Sequence, residues 1–424
     1  MSERAPSQTR TIVAGSVGNV MEWFDFAVYG FFAQVIGNQF FPAQDPVTSL
    51  LAAFGVFASG FLARPLGAAF FGHLGDRFGR AVVLRWSVIL MGASTCLLGL
   101  LPTYEQIGMA APILIVVLRI AQGFSVGGEY TGSVIYLVER APAGRRGIVG
   151  AWTNFGAVAG FLLGSAMAAL IAAVLSDEQV ASWGWRVPFV LGVSIAGLAA
   201  FFRRGLKEAA DHQEPDLPLK KAFQTEWRTM LRIAGVIMMA NVGFYMMFVY
   251  VTTYLSEEFG VPMALALEID TAAMAALLVF TPLGGWLSDR LGRKPVTLFA
   301  SIGCFLLAIP LLMAVGDDDP MWIFLGQLGF AVFIGFSGGA NAALLVEITK
   351  APYRCTVISV AYNTTLAIFG GTTPVVATWL ISNTGDVLTP AYYIMVMAVI
   401  TTLTLAFLPE TSRRELDRSN LVES

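Results

Sequence analysis

Five ionisable side chains stand inside long apolar runs: Glu22, Asp25, Arg64, Arg119 and Glu129. A charge near a bilayer centre costs at least ~3 kcal/mol on insertion scales, so such residues tend to pair and to carry function. Glu22 and Asp25 are three apart and share a helix face, with Trp23, Phe24, Phe26 and Tyr29 around them. Two carboxylates in a low-dielectric wall do not both ionise easily, so one should bind a proton near neutral pH. Asp25 and Glu22 are therefore the expected proton carriers. Arg119 suits a bidentate grip on a carboxylate. Glu129 lies about 15 Å further along the same helix, so the two cannot hold one carboxylate. Glu129 is expected to face a substrate cation or to act as a second proton site, and Arg64 to orient or balance Asp25. The alternative for each is a buried pair that only holds helices in register.

Other chemistries are absent. His73 and His212 both lie in polar connections, which excludes a histidine proton relay through the apolar runs. No Gly-Lys dipeptide occurs, so there is no phosphate-cradling Walker loop. Gly127-Gly128 sits inside an apolar run with no strand before it and is no dinucleotide fingerprint. Cys96, Cys304 and Cys355 are isolated and read as small apolar fillers. No metal, no cofactor, no nucleic acid and no enzymatic nucleophile–base pair are expected. Met1 to Arg10 is polar and lacks the apolar core of a cleaved signal peptide.

The elements that must position these residues follow from composition. The chain is 56% hydrophobic and 13% charged, against about 25% charged in soluble domains. The bilayer must be its solvent. A span needs ~20 predominantly apolar residues. Twelve runs qualify, at about 15–40, 50–72, 81–102, 108–138, 148–174, 187–203, 231–256, 268–288, 295–315, 321–347, 355–381 and 391–408. Of the 26 Lys and Arg, all but Arg64, Arg119 and Arg186 fall before the first span, after the last, or in the even-to-odd connections. The opposite connections carry acids, among them Asp45, Glu105, Asp177, Glu257, Asp270 and Asp386. The positive-inside rule then puts both termini in the cytoplasm. Arg186 reads as a membrane-surface anchor. The expected organisation is a six-helix bundle over 1–204, a linker over 205–230 with an amphipathic helix at 222–230, a second six-helix bundle over 231–409, and a charged tail over 410–424.

The second half differs in its interior. Its spans carry Asn241, Tyr245, Tyr250, Tyr254, Asn341 and Asn363, and no ionisable residue is expected at mid-span. The tyrosines are packing, or a wall for an ammonium group through cation–π attraction. Gly150, Gly156, Gly160 and Gly164 should let the fifth span pack closely against a neighbour.

One stretch occurs twice. Gly72-His73-Leu74-Gly75-Asp76-Arg77-Phe78-Gly79-Arg80 returns half a chain later as Gly285-Trp286-Leu287-Ser288-Asp289-Arg290-Leu291-Gly292-Arg293-Lys294. Internal repeats of this kind mark many secondary transporters. Asp76 and Asp289 can accept bonds from a neighbouring helix N-terminus and from the following Arg. Glu139 with Arg146, and Glu347 with Arg354, form a parallel pattern after the fourth and tenth spans. Together with Gly72, Arg77, Gly79, Arg80, Arg290, Gly292 and Arg293 they are expected to form a gating set on the cytoplasmic face. Plain topology signalling is the alternative.

These residues resemble the major facilitator superfamily. The repeated stretch is similar to its loop 2–3 and 8–9 signature, Arg119-Ile-Ala-Gln-Gly123 to its span-four motif, and Leu408-Pro409-Glu410-Thr411 to the segment after its last span. Gly18 to Phe26, Ala121 to Gly132 and Trp183 to Phe189 resemble its metabolite:proton symporters, proline and glycine betaine symporters above all. Citrate, α-ketoglutarate and shikimate symporters share the first-half motifs. The resemblance implies an all-α membrane protein of twelve helices in two six-helix bundles. It also implies proton symport of a small carboxylate-bearing solute by alternating access, by a monomer in a bacterial inner membrane. The expected substrate contacts are Arg119, Glu129, Arg64, Tyr29, Tyr130 and Tyr245. A receptor or scaffold on the same fold gains little from Glu22, Asp25, Arg64, Arg119 and Glu129.

Overall fold

The computed structural model describes residues 8–43, 46–78, 80–192 and 219–416, without the side chains of 8–18, 69, 71–78, 80–88 and 219–222. Regular structure among them is helical throughout. The first half has α1 (Gln8–Phe31), α2 (Ala33–Phe40), α3 (Pro46–Phe78), α4 (Arg80–Leu100), α5 (Tyr104–Ile107), α6 (Ala110–Ser125), α7 (Glu129–Arg140), α8 (Arg146–Val174) and α9 (Asp177–Ser182). The second half has α10 (Leu219–Tyr245), α11 (Val251–Phe259), α12 (Met263–Leu291), α13 (Arg293–Val315), α14 (Pro320–Glu347), α15 (Arg354–Thr365), α16 (Thr373–Thr384) and α17 (Thr389–Ala406).

Nine helical segments among the described residues are long and apolar enough to cross a membrane. Helix α1, of 24 residues, and α4, of 21, take the first and third places in the expected order. Most of the expected sixth span, and the polar connection up to Pro218, lie outside the described residues. The expected amphipathic stretch at 222–230 is not separate: α10 starts at Leu219 and runs on without a break. Large apolar side chains such as Leu66, Leu170, Val279 and Phe407 are exposed, as a lipid-facing surface requires.

Three spans are interrupted where backbone or side chains crowd. The expected fourth span breaks at Val126–Gly128, between α6 and α7. Gly127 lies there against the α3 backbone, and a Cβ would overlap the Arg64 carbonyl. The Gly127 carbonyl, freed by the break, accepts a bond from Asn363 at 2.8 Å. The seventh and eleventh spans each contain a widened π turn, at Met246–Tyr250 and Leu366–Gly370. Such turns are frequent at functional sites.

Glycines set the helix spacing. Gly60 and Gly123 bring α3 onto α6, while Gly160 and Gly164 bring α8 onto α1 at Val20 and Ala27. Gly292 is different: its φ of +112° turns the chain between α12 and α13, a conformation that favours glycine. Arg186 holds the end of α4, donating to the Gly99 and Leu101 carbonyls at 3.0 and 2.6 Å.

Candidate functional site

A cavity of about 80 Å³ lies between the two halves. Trp23, Tyr130 and Phe161 from the first half face Phe244, Tyr245 and Tyr362 from the second across it. Its polar lining is uncharged and includes Asn154, Asn241, Thr281 and Asn341. Tyr130 stacks on Tyr362 at 4.6 Å between ring centroids, and its hydroxyl donates to Asn154. Four buried atoms of the lining have no hydrogen-bond partner: Trp23 Nε1, Asn241 Nδ2, Asn341 Oδ1 and Tyr245 Oη. An unpaired buried polar group is costly, so these atoms are ready for a polar solute.

The predicted substrate contacts divide. Tyr130 and Tyr245 line the cavity; Arg119, Arg64, Tyr29 and Glu129 do not. Arg64 and Arg119 form a second layer behind the aromatic wall. Phe26 separates them, its centroid 4.4 Å from the Arg64 guanidinium carbon and 4.6 Å from that of Arg119. Arg64 also lies over Trp23, and Arg119 over Tyr29. Glu129 is the half-buried first residue of α7. Tyr250 and Tyr254 stand away from the cavity, Tyr254 donating to the Val387 carbonyl. Periodicity could not single out Phe161, Phe244, Asn154 or Tyr362, because one more aromatic or amide in an apolar span carries no distinct signal.

The predicted carboxylates are both buried but have different partners. Arg64 binds Glu22 at 2.6 Å. This corrects the expected Arg64–Asp25 pairing. The reason is geometric: Arg64 lies among Trp23, Phe26 and Phe61, and from there it reaches Glu22. Asp25 instead accepts from Thr95 at 2.6 Å. Gln122 donates to Thr95 at 2.7 Å, and Arg119 to Gln122 at 2.9 Å. A hydrogen-bonded chain therefore joins Asp25 to Arg119 through α4 and α6, with no direct ion pair at Asp25 among the described residues.

A second correction concerns Asp270, which the sequence places among the exposed acids. It is fully buried on α12, so the interior of the second half is not free of ionisable groups. The helix starts at Met263, earlier than the apolar run suggests, and so carries Asp270 inward.

The repeated motif sits where the halves meet on one face. Side chains of Gly72, Asp76, Arg77 and Arg80, and Gly79 entirely, lie outside the described residues. In the second copy, Asp289 accepts from the backbone N–H groups of Gly147 and Ile148 at 2.8 and 2.9 Å, at the start of α8. Arg293 also binds it at 2.8 Å, and Arg290 stacks on Trp286. Glutamates and arginines after the fourth and tenth spans exchange partners, which corrects the expected pairing within each copy. Arg146 binds Glu347 at 3.0 Å and Arg354 binds Glu139 at 2.5 Å. Both bonds cross between the halves, because the contact of the halves brings each arginine to the other copy's glutamate. Arg293 adds a contact to Glu347 at 3.2 Å.

Glu410 closes this network from the last segment. It accepts from the Arg293 and Lys294 N–H groups at 2.9 and 3.0 Å, capping α13. Burial works to raise its carboxyl, but bonds from the Ser412, Arg293 and Lys294 backbones outweigh that and hold it below the usual glutamate range. On the opposite face Gln34 contacts Glu257 across the halves. Bonds therefore join the two halves on both faces, above and below the central cavity.

The sequence profile of the Major Facilitator Superfamily matches residues 15–362 and 263–422. The chain belongs to this superfamily. It is 38% identical over 423 residues to the glycine betaine/proline/ectoine/pipecolic acid transporter OusA of Dickeya dadantii, covering 96% of this chain and 84% of that one. It is 37% identical over 423 residues to a proline/betaine transporter of Escherichia coli, with the same coverage. A putative proline/betaine transporter of Staphylococcus aureus is 35% identical over 413 residues, covering 95% of this chain and 89% of its own. Among solved structures, a proton:xylose symporter bound to 6-bromo-6-deoxy-D-glucose superposes with a TM-score of 0.78. It is 18% identical and covers 98% of this chain and 99% of its own. That likeness bears on the fold alone. As a member of the major facilitator superfamily the chain is an all-α, multi-pass membrane transporter and not an enzyme.

Proposed function

We propose that this protein is a proton-coupled symporter of a small zwitterion, proline or glycine betaine, working by alternating access. The central cavity carries the reading. Its aromatic walls suit a secondary or quaternary ammonium through cation–π attraction, worth ~0.5–2 kcal/mol per ring. Its unpartnered Asn241 and Tyr245 donors suit the carboxylate end. The names of the relatives point to the same solutes. A di- or tricarboxylate would need basic lining, and the cavity has none among the described residues.

Asp25 is the proton carrier in this reading, since it alone of the two carboxylates has no direct cationic partner among the described residues. Arg119 senses its charge through Gln122 and Thr95. Glu22 stays with Arg64, so protonating it would free Arg64 behind Trp23. The motif face is cytoplasmic, in keeping with its basic residues, and so are both termini. The setting is a bacterial inner membrane. The two halves are the bodies that rock, and one chain holds the whole cavity and works as a monomer.

The test is uptake into proteoliposomes with competing solutes, with and without a pH gradient. Proline and glycine betaine should compete, citrate and α-ketoglutarate should not, and accumulation should need the gradient. Asp25→Asn should abolish accumulation while substrate exchange persists. Full accumulation by that variant would refute the proton role.

A further inference from the structure

Asp270 is a carboxylate for which the proposed cycle has no use. It lies about 10 Å inside α12 from Met263. Ser165 of α8 donates to its Oδ2 at 3.1 Å, and Gln327 of α14 to its Oδ1 at 3.4 Å. Ser165 also bonds Thr271 at 2.7 Å. The described side chains that bond it are neutral. From α8 comes Ser165, from α14 Gln327, and from the π turn the Met247 carbonyl, which Gln327 also bonds. No Lys or Arg among the described residues forms an ion pair with it. The acids nearby in sequence, Glu268 on its own helix and Glu257 and Glu258 on α11, are exposed.

An ionised carboxylate here has lost its water and gained no counter-charge, which is a costly state. The neutral acid can accept from Ser165 and donate one O–H in return. Gln327 carries a buried acceptor beside it, Oε1, that has no partner. The position also matters. Ser165 and Asp270 belong to opposite halves and meet towards the face away from the repeated motif. Opening that face must pull Ser165 off Asp270 and admit water.

We propose that Asp270 is a second proton-binding site, and that its protonation favours closure of the face away from the motif. The proposal rests on alternating access between the two halves. It does not depend on the solute carried or on Asp25.

Accessibility tests it directly. Ala168 lies one turn beyond Ser165 on α8 and is fully buried. Ala168→Cys, with Cys96, Cys304 and Cys355 replaced by serine, is exposed to a membrane-impermeant maleimide from the outer face. Rates are divided by those of a fully exposed control cysteine to remove the pH dependence of the thiol itself. Between about pH 5 and 9 the corrected rate should rise with pH, by at most about tenfold per unit for one proton. Asp270→Asn should remove that rise. A rise of unchanged size and midpoint in Asp270→Asn overturns the proposal. Should Asp270→Asn fail to reach the membrane, Ser165→Ala takes its place. Losing a bond to the charged form should move the midpoint up by about one unit; an unmoved midpoint overturns the proposal equally. Uptake by Asp25→Asn is a separate measurement, so either reading can fail alone.

Discussion

Three kinds of buried polar residue have separate work here. Glu22 and Arg64 pair directly at 2.6 Å. Asp25 is tied to Arg119 only through two neutral side chains. Asn241, Asn341 and Tyr245 end in unpartnered atoms at the cavity. The last group is where solute affinity should reside. A hydrogen bond to a charged group contributes ~1.5–3 kcal/mol, and each 1.4 kcal/mol is about tenfold in affinity. Asn241→Ala should therefore raise the half-saturating solute concentration at least about tenfold, with the pH dependence of uptake unchanged. An unaltered concentration dependence would remove Asn241 from the site. The five ionisable residues were visible in the sequence because charge in an apolar run is rare. The asparagines and aromatics that border the cavity were not separable from ordinary packing residues.

Helices in this chain are positioned by a few close contacts at their ends and breaks. Gly127 permits the break of the fourth span, and Asn363 from the other half takes up the carbonyl that the break exposes. At the motif face, Gly292 makes the turn and Glu410 caps the helix that follows it. The Glu410 carboxyl lies below its usual range. Its contribution to stability is therefore complete above the ordinary glutamate value of about 4.3 and fades as pH falls through and below it. Melting temperatures of the wild type and Glu410→Gln should differ near neutral pH and converge towards about pH 3. A gap that stays constant across that range would show that the charge of Glu410 does not matter to the cap. The Leu408–Thr411 segment was legible as a motif. Its partner was not, since the α13 N-terminus is more than a hundred residues away.

At the scale of the whole molecule, the two halves are held together on both faces around a small aromatic cavity. The bonds of Arg146 to Glu347 and Arg354 to Glu139 cross between halves on the motif face. If these pairs hold that face shut in one state, reversing one member should hinder closure by setting like charges together. Glu139→Arg and Arg354→Glu should each slow transport about tenfold or more. The double variant should recover most of the rate, as a coupled pair requires. Equal defects in single and double variants would mean that the residues act independently. The sequence pattern had paired Glu139 with Arg146 by spacing alone. Spacing along a chain cannot register that two copies of a motif face each other and trade partners.

The sequence by itself determined the solvent, the helical class, the two-fold repeat and the superfamily. Each of these follows from run lengths and local motifs, which a linear pattern records. It also marked Asp25, Glu22, Arg64 and Arg119, because isolated charge stands out against an apolar background. Only the tertiary structure decided who pairs with whom. It gave Arg64 to Glu22, set Arg119 behind the cavity wall, and drew Asp270 into the interior. Those outcomes depend on where helix faces meet across the two halves, and that geometry is set by packing between residues far apart in the chain.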